Sequence, residues 1–544
     1  MEKGKITPVV EKIRMQIDAL EDFAKLSDYG RKRNCILLES ADKIKKYGEK
    51  SIVCVDPCLN VRGIGEKFEI TALNETGKKF MKHIRDDLDF CDSVKVADFK
   101  ITGILKPKRG NVSEEERLKL KTHADILRAI AFKLAPETQV EYPFAGLFGA
   151  ISYDFIDQFE DLPPNKKDVL KEPDYEMNFY DSVFLVDHPA KEVMIIANKL
   201  LFESSDGAAE QKRAEETIEK YKKALDAEMP TKRHFRKTKV RLESDTTKND
   251  FIKIVKRLKQ NVLNGDVVQV VPSRTTIANY SAEPLDIYRE LRELNPSPYM
   301  FYFCHSDGVL LGSSPEMCIR VQGKERKTIE ISPIAGTKPR GILNGKIDAD
   351  LDSKYETELK LDEKELAEHT MLIDLARNDI ARVSDPGSRS CDSPFMIEKY
   401  SHVQHIVSHV KGTLRKEYDC LHAYLASMNM GTLTGAPKIK AMELIRKKEK
   451  TKRGFYGGSI GYLTPSGNFD SAIVIRSMSL KNGKAYVRAG AGVVHDSIPE
   501  NEFAETERKA AAAIKAIKIA SEAGFSPGFS AEKAASGDKG DLDD

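Results

Sequence analysis

The segment 489–506, AGAGVVHDSIPENEFAET, constrains the fold more than any other stretch of this sequence. An apolar strand ends at Gly490 and Gly492, where a ligand can approach the backbone without meeting a Cβ. A helix follows, and its Glu502 and Glu505 lie three residues apart on one face. Bare amides beside paired carboxylates indicate an anion pocket next to a site for a hard metal ion. A solvated acidic helix after a tight turn is the alternative interpretation of these residues.

Capping residues predict where the helix that carries Glu502 and Glu505 begins. Ser497 is predicted to be the N-cap, and Pro499 would lie in the first turn. Glu500 follows the cap by three residues, which is the spacing of a capping box. The sequence therefore predicts that the helix begins directly after Ser497.

A second acidic pair repeats the same spacing in a predicted helix over residues 363–376. Its Glu365 and Glu368 are three residues apart, like Glu502 and Glu505. Two such helices facing each other would offer four carboxylates to one cation. Oxygen ligands without a His/Cys cluster favour Mg²⁺ over zinc.

The composition excludes several classes of protein. The chain has 544 residues, too many for one small domain, and its 87 Lys and Arg balance its 85 Asp and Glu. No basic stripe with interleaved aromatic residues is present, which argues against nucleic acid as a partner. No signal peptide and no membrane-spanning run is evident, and the eight cysteines lack zinc spacing. We expect a soluble cytoplasmic protein with reduced thiols.

A basic segment at residues 230–240 marks the predicted boundary between two parts of the chain. The N-terminal part would span residues 1–230 and the C-terminal part residues 240–522, and the tail 526–544 has the composition of a disordered segment. Residues 1–30 are predicted as a helix because apolar residues recur there at helical spacing. Strands and helices then alternate along the chain.

Three polar side chains lie in apolar segments, where a buried polar group needs a partner or a cavity. Gln269 is the single polar residue of a predicted strand over 267–274, and a satisfied core glutamine is the alternative. Arg476 ends an apolar strand, which predicts a carboxylate partner. His405 falls among valines and isoleucine, as a packed core histidine would, while His402 and His409 are one heptad apart and predicted as surface neighbours.

Several long motifs, in one order, then resemble the chorismate-utilising enzymes. They are GTLTGAPK (431–438), RGFYGGSIGY (453–462), the segment 489–506, PIAGTKPRG (333–341), EHTMLIDLARND (368–379), LLESA (37–41) and LFGAISYDFIDQFEDLP (147–163). The resemblance covers residues from about 30 to 520, and it is most specific for the branch that makes anthranilate.

The resemblance implies an α/β fold of the α+β type, a large two-part sandwich of antiparallel sheets with helices outside. The implied reaction converts chorismate and ammonia to anthranilate and pyruvate, the first step of tryptophan biosynthesis. The chain has no cysteine in a Gly-x-Cys-x-Gly elbow. A separate glutamine amidotransferase subunit is therefore expected to supply ammonia, in a hetero-oligomer that we expect to be a heterotetramer.

The resemblance also assigns roles to residues. Glu368 and Glu505 would hold Mg²⁺ on the ring carboxylate of chorismate, supported by Glu365 and Glu502. The expected substrate-binding residues are Gly336, Thr337, Tyr456, Arg476, Gly490, Gly492 and Lys509. The expected catalytic residues are Glu316, which would protonate the leaving C4 hydroxyl, His405, which would take the C2 proton, and Thr432 and Gln269.

Two positions separate this sequence from other branches of the family. Ala335 stands where related enzymes carry a lysine that attacks the ring, and Gln269 stands where others carry a lysine that activates water. Direct attack by ammonia is therefore expected. One alternative is an aminodeoxyisochorismate synthase, which stops before pyruvate is lost. Another is a non-catalytic tryptophan-sensing relative, which should have lost an acidic pair or His405.

Two further segments resemble the tryptophan feedback site of the family. The residues are Leu38, Glu39, Ser40, Lys50, Pro298, Tyr299 and Met300. Ser40 would help to hold the amino group of the ligand, and Met300 would pack on the indole. The alternative, compatible with the first, is that two strands pair here across the two parts of the chain.

Overall fold

The structure is a computed structural model that describes residues 3–14, 18–40, 50–107, 113–138, 140, 142–203, 205–343, 346–400 and 403–523. His402 and the tail predicted to be disordered lie outside these residues. No described helix is long and apolar enough to cross a membrane.

The strands up to residue 201 are β1 (Gly4–Arg14), β2 (Cys35–Glu39), β3 (Lys50–Cys54), β4 (Leu59–Ile64), β5 (Lys67–Ala72), β6 (Ser93–Ala97), β7 (Lys100–Ile104), β8 (Leu134–Pro136), β9 (Gly146–Ile151), β10 (Tyr175–Tyr180), β11 (Ser182–Asp187) and β12 (Glu192–Leu201). The later strands are β13 (Leu242–Ser244), β14 (Gln269–Val270), β15 (Ser273–Asn279), β16 (Tyr299–His305), β17 (Gly308–Ser314), β18 (Met317–Gln322), β19 (Thr328–Ile331), β20 (Ile334–Pro339), β21 (Ile342–Leu343), β22 (Lys346–Ile347), β23 (Ser390–Lys399), β24 (Val403–Thr413), β25 (Gly435–Ala436), β26 (Ser459–Leu463), β27 (Phe469–Ile473), β28 (Ser477–Lys481) and β29 (Lys484–Gly490).

The α-helices are α1 (Ala19–Leu26), α2 (Glu75–Ile84), α3 (Glu114–Lys119), α4 (His123–Ala131), α5 (Gly207–Asp226), α6 (Lys248–Leu263), α7 (Pro284–Leu294), α8 (Ala349–Lys360), α9 (Glu363–Ala381), α10 (Cys420–Ser427), α11 (Gly431–Thr434), α12 (Lys438–Lys448) and α13 (Pro499–Ala523). Short 3₁₀ turns span Arg85–Leu88 and Tyr153–Gln158.

Two large sheets form the framework, and this confirms the predicted sandwich of mostly antiparallel sheets. Sheet I has the strand order β13-β15-β29-β28-β17-β16-β2-β3-β11-β12-β1-β8. Sheet II has the order β20-β24-β19-β18-β27-β26-β9-β10-β4-β5-β7-β6, with β23 added on β24. The pairing of β1 with β8 is parallel.

The core lies on both faces of sheet I. Ile36 and Cys54 point into a buried cluster shared with sheet II, whereas Cys35 and Leu37 point into a second cluster shared with α1, α5, α7 and α13. Alternation along β2 thus buries both faces of the strand, as is usual for a central strand covered on each side. Both sheets contain strands from either side of residues 230–240, so the two predicted parts share their sheets, and a division there stays a prediction.

The prediction of a helix over residues 1–30 is wrong for its first half. Residues 4–14 form β1, which pairs with β12 over ten residues, and only Ala19–Leu26 is helical. Pro8 would break a helix interior, and β-branched neighbours favour a strand. Pro8 is tolerated because it lies beyond the three residues of β1 that pair with β8.

The segment around His405 is also a strand rather than a helix. It belongs to β24, which pairs with β19, β20 and β23. The predicted contact of His402 with His409 stays a prediction, because His402 lies outside the described residues. The two-residue period of a strand instead places His405 and His409 on one face. The predicted strand 267–274 is divided into β14 and the start of β15.

The helix α13 begins at Pro499, but Ser497 is not its N-cap. The hydroxyl of Ser497 accepts a hydrogen bond from the amide of Val494 at 3.0 Å, which closes the preceding turn. The carbonyl of Ile498 accepts the first helical hydrogen bonds. The predicted capping box with Glu500 is therefore wrong, because the hydroxyl is already used one turn earlier.

Candidate active site

One cavity of about 640 Å³ brings together every residue that the sequence assigned to catalysis, substrate or metal. These residues are Gln269, Glu316, Gly336, Thr337, Glu365, Glu368, His405, Thr432, Tyr456, Arg476, Gly490, Gly492, Glu502, Glu505 and Lys509. They come from both sheets and from helices α9, α11 and α13. The segment 489–506 and the acidic pair Glu365 and Glu368 of α9 therefore line the same cavity.

The four carboxylates repel one another. Burial, with help from Glu365 and Glu505, raises the pKa of Glu368 to about 7. Burial and the nearby acids Asp362 and Glu505 also raise the pKa of Glu365. Burial raises the pKa of Glu502, whereas Lys509, at 2.5 Å from Glu505, overcomes burial and holds the pKa of that carboxylate low. A bound cation would reduce the repulsion among these four carboxylates.

The donor set fits a hard divalent ion. The four acids of the cavity offer only carboxylate oxygens as metal ligands, and oxygen ligands are those that Mg²⁺ prefers. Within the described ranges, no group of three or more acidic, histidine or cysteine side chains already has the geometry of a metal centre. Because Mg²⁺ usually retains waters and takes substrate oxygens, a partly assembled set of carboxylates is compatible with it.

Glu316 is a buried carboxyl group on the cavity wall. Burial raises its pKa to about 8, although the Thr432 hydroxyl and the charges of Arg476 and Lys509 act in the opposite direction. Thr432 Oγ1 is itself buried and has no well-aligned hydrogen bond to a described residue. Glu316 therefore carries a proton at neutral pH and can donate it.

His405 is held as a neutral imidazole. Its Nδ1 lies 3.0 Å from the carbonyl oxygen of Gly336 and 3.0 Å from Thr337 Oγ1. A carbonyl can only accept, so the proton is assigned to Nδ1 and the lone pair to Nε2. Burial lowers the pKa of His405 to about 4, which the charge of Arg476 reinforces. The side chain can therefore accept a proton at Nε2.

Arg476 differs from the prediction in two ways. It lies at a bend between β27 and β28 with φ of 50°, a left-handed conformation, and is not part of a strand. The predicted carboxylate partner is absent among the described residues, since Glu505 and Glu316 act on the guanidinium only through space. Burial lowers the pKa of Arg476. A half-buried cation with no ion pair to a described residue, lining a cavity, is suited to an anionic ligand.

The glycines beside Arg476 are required by close contacts. A Cβ on Gly490 would lie 3.2 Å from Tyr456 Oη, and one on Gly492 would lie 2.9 Å from Gln269 Nε2. Gly336 has φ of 67°, and a Cβ there would approach Glu365 Oε2 to 3.3 Å. Any side chain at these positions would displace a group that lines the cavity.

Gln269 is buried, yet its Oε1 has no hydrogen-bond partner among the described residues. The satisfied core glutamine that the sequence allowed is therefore wrong. Since a buried amide oxygen without a partner is costly, its position on the cavity wall indicates a polar ligand.

The seven residues assigned to tryptophan lie elsewhere, and none of them lines this cavity. Met300 of β16 pairs with Glu39 of β2, which confirms that the two segments pair across the parts of the chain. Glu39 accepts a hydrogen bond from Tyr288 at 2.7 Å, and Ser40 Oγ is buried without a partner among the described residues. Leu38 and Tyr299 are half-buried, Pro298 is buried, and Lys50 is exposed at the start of β3. Their role as an inhibitor site stays a prediction.

The sequence did not lead us to predict two charged residues of the cavity, Lys364 and Arg508. Lys364 directly precedes Glu365, and Arg508 follows Glu505 by three residues. The charge of Lys364 partly opposes the rise in the pKa of Glu368, and the charge of Arg508 helps to hold the pKa of Glu505 low. Their helical spacing from the acids was available in the sequence as a signal.

A buried hydrogen bond ties the acidic helix α9 to the strand that carries His405. His369 Nε2 lies 2.7 Å from Ser408 Oγ, which also accepts a hydrogen bond from the amide of Phe395 at 2.9 Å. Burial lowers the pKa of His369 to about 4, so the ring is neutral. The contact fixes the helix that carries Glu368 against β24.

Replacing Ser408 by alanine is expected to lower the free energy of unfolding by about 1–3 kcal/mol, because it leaves His369 Nε2 buried without a partner. Urea denaturation measures this loss. Ser353→Ala, at an exposed position of α8, is the matched control. A loss no larger than that of the control would contradict the proposed contact.

Comparison with known proteins agrees with this geometry. Residues 96–515 match the model of the family described as chorismate binding enzyme. The chain is 41% identical over 492 residues to anthranilate synthase component 1 of Buchnera aphidicola subsp. Pemphigus spyrothecae, covering 90% of this chain and 92% of the relative. It is 40% identical over 490 residues to the component 1 protein of Vibrio cholerae serotype O1, covering 90% and 92%. The crystal structure of anthranilate synthase component I from Streptococcus pneumoniae TIGR4 superposes with a TM-score of 0.68 at 29% identity, covering 86% of this chain and 92% of that one.

The chain therefore belongs to the chorismate-binding enzyme family. Within that family, the relatives that it matches along nine-tenths of its length are component 1 proteins of anthranilate synthase.

Proposed function

We propose that the protein is the large subunit of an anthranilate synthase, a lyase that converts chorismate and ammonia to anthranilate and pyruvate. The observation that carries this proposal is the cavity, in which an unpaired cation, a protonated carboxyl group and a neutral imidazole face one another beside an acidic cluster. Similarity to component 1 proteins along nine-tenths of the chain supports the same reaction.

Chorismate would bind through its two carboxylates at opposite ends of the cavity. The enolpyruvyl carboxylate would meet Arg476, Tyr456 and the backbone near Gly490, where the guanidinium makes no ion pair with a described residue. Lys509, which donates to the Gly490 carbonyl at 3.1 Å, adds positive charge at this end. The ring carboxylate would face the acidic end.

Glu368 and Glu505 would hold Mg²⁺, with Glu365 and Glu502 in support. When bound, Mg²⁺ would supply positive charge that neutralises the ring carboxylate and orients the ring. The rest of the chemistry belongs to side chains of this chain.

In the first half-reaction, ammonia adds at C2 while the C4 hydroxyl leaves as water. Glu316 would provide the proton that this leaving group needs, and its pKa of about 8 keeps it protonated at neutral pH. Gln269 Oε1 would accept a hydrogen bond from the incoming ammonia. The absence of a lysine at positions 269 and 335 favours ammonia over water and over a covalent intermediate.

In the second half-reaction, the C2 proton and pyruvate are lost, and the ring becomes aromatic. His405 would take this proton at Nε2, since Nδ1 is occupied by the Gly336 carbonyl. A neutral base must have a conjugate pKa below the working pH, and the pKa of about 4 satisfies this condition.

A separate glutamine amidotransferase subunit, component II of such an enzyme, would supply ammonia from glutamine in a hetero-oligomer. The designation of the relatives as component 1 supports a partner. Tryptophan would inhibit the enzyme at the β2–β16 junction, where Glu39 and Met300 are neighbours.

The test uses the purified full chain with chorismate, ammonium and Mg²⁺ at alkaline pH, followed by anthranilate fluorescence. We expect product formation that depends on all three additions. No product would overturn the proposal, and a non-fluorescent amino intermediate that accumulates would favour an aminodeoxyisochorismate synthase. The chain contains no tryptophan, so protein fluorescence contributes little background.

A further inference from the structure

The thiols of Cys35 and Cys304 stand opposite each other on adjacent strands of sheet I. β2 and β16 are antiparallel, and Cys35 is the direct partner of Cys304 in their register. Directly opposed residues project to the same face, with Cα atoms about 4.5–5.5 Å apart, within the range that a disulfide can bridge. Both side chains belong to the same buried cluster.

The two cysteines differ in accessibility and acidity. Cys304 is 7% exposed and Cys35 is fully buried. The Cys35 thiol has two acceptors in reach, the Lys32 carbonyl at 3.0 Å and the Cys304 sulfur. The hydrogen bond from Cys35, together with the charge of Arg33, lowers the pKa of Cys304 in spite of burial.

The seven cysteines other than Cys304 are less reactive by the same criterion. Burial raises the pKa of all seven, and these include Cys91 and Cys391, which are the more exposed ones. The thiolate is the reactive form, and Cys304 is the slightly exposed member of two thiols that are direct partners in the register. These two observations, with the lowered pKa of Cys304, mark it as the nucleophile and Cys35 as the resolving residue.

We propose that Cys304 and Cys35 form a reversible redox pair that hydroperoxides oxidise to a disulfide. The Cys304 sulfur attacks one peroxide oxygen, the O–O bond breaks, and the hydroxide that leaves is protonated to water. The Cys35 sulfur then attacks the resulting sulfenic acid, the S–O bond breaks, and a second water leaves. Two thiols lose two electrons and one hydrogen peroxide gains them. An added dithiol then reduces the disulfide back to two thiols and is itself oxidised to a disulfide.

The location gives the disulfide a structural consequence that is independent of the proposed enzyme activity. In sheet I, the contact of β16 with β2 is the place where strands from the C-terminal part meet those from the N-terminal part. A bond between residues 35 and 304 closes a long loop across this junction. Because closure of a long loop restricts the unfolded chain, the oxidised protein should unfold at a higher temperature than the reduced one.

The experiment treats the reduced full chain with hydrogen peroxide at close to equimolar concentration and maps its peptides without reduction. We expect loss of two free thiols per chain and one cross-linked peptide joining residues 35 and 304, both reversed by dithiothreitol. Cys304 should be oxidised about tenfold faster than Cys91 or Cys391. Earlier oxidation of Cys91 or Cys391, or a cross-link between other cysteines, would overturn the proposal.

Three variants sharpen this result. Cys304→Ser should abolish the cross-link, and Cys35→Ser should leave a sulfenic acid on residue 304 that dimedone traps. Cys54→Ser is the control, because Cys54 pairs with Ile36 on the other face of the sheet and should leave the cross-link unchanged. If a variant does not fold, the peptide map of the unmodified chain decides alone, since the identity of the first oxidised cysteine needs no substitution.

Discussion

Replacing Glu505 by glutamine is expected to lower kcat/KM for chorismate by about three orders of magnitude, which corresponds to about 4 kcal/mol of transition-state stabilisation. The substitution keeps the volume of the side chain but removes the carboxylate whose pKa is held low beside Lys509. That carboxylate is therefore ionised at pH values at which Glu368 is still partly protonated, and its loss would remove the most reliable ligand of a metal ion. Rates measured across a Mg²⁺ titration check this result.

The fold should survive the Glu505 substitution. Loss of the ion pair with Lys509 is offset because glutamine also removes one charge that repels Glu368. Glu500→Gln is the matched control, since Glu500 is exposed on the same helix and does not line the cavity. Circular dichroism should be unchanged in both variants. Undiminished Mg²⁺-dependent turnover in Glu505→Gln would refute the role assigned to this residue.

The fold was predictable where local patterns and long-range pairing agree. The helices α9 and α13 were predicted from the spacing of their acidic residues, and the strands β14 and β15 from an apolar run. The wrong secondary-structure predictions lie in segments whose apolar residues fit both the helical period and the strand period. In residues 4–14 and 403–413, apolar residues fit a helix locally, but pairing with neighbouring strands decides the structure, and pairing is not visible in a short window.

The residues of the candidate site could be predicted from the sequence, but their positions relative to one another in the cavity could not. Spacing indicated that Glu502 and Glu505 share a helix face, yet only the fold shows that Glu365 and Glu368 face the same cavity. The protonated state of Glu316 is likewise a property of tertiary burial, which no motif records. Arg476 lies at a left-handed bend between two strands and has no ion pair with a described residue, and the apolar run in the sequence indicates neither property.

Replacing Glu316 by glutamine is expected to lower the ammonia-dependent rate by about 10²–10⁴-fold, the usual contribution of general acid catalysis. Glutamine keeps the shape of the side chain and its contact with Thr432, but it has no proton to give to the leaving hydroxyl. Because the pKa of Glu316 is about 8, the unmodified enzyme should lose activity above that pH as the acid ionises. The rate per free ammonia should fall about tenfold per pH unit there, and this limb should be absent in the variant.

Stability provides a readout of the Glu316 proton that does not require turnover. The ordinary pKa of the carboxyl is 4.5 and burial raises it to about 8, so the folded protein retains a proton that the unfolded chain releases between these values. Stability therefore falls as pH rises from about 4.5 to about 8. Glu316→Gln removes this dependence, and its thermal midpoint relative to the unmodified chain should rise across the same window. Glu325→Gln, at an exposed position, should show no such trend. A difference in midpoint that stays constant with pH would show that Glu316 is ionised in the folded protein and could not be the acid.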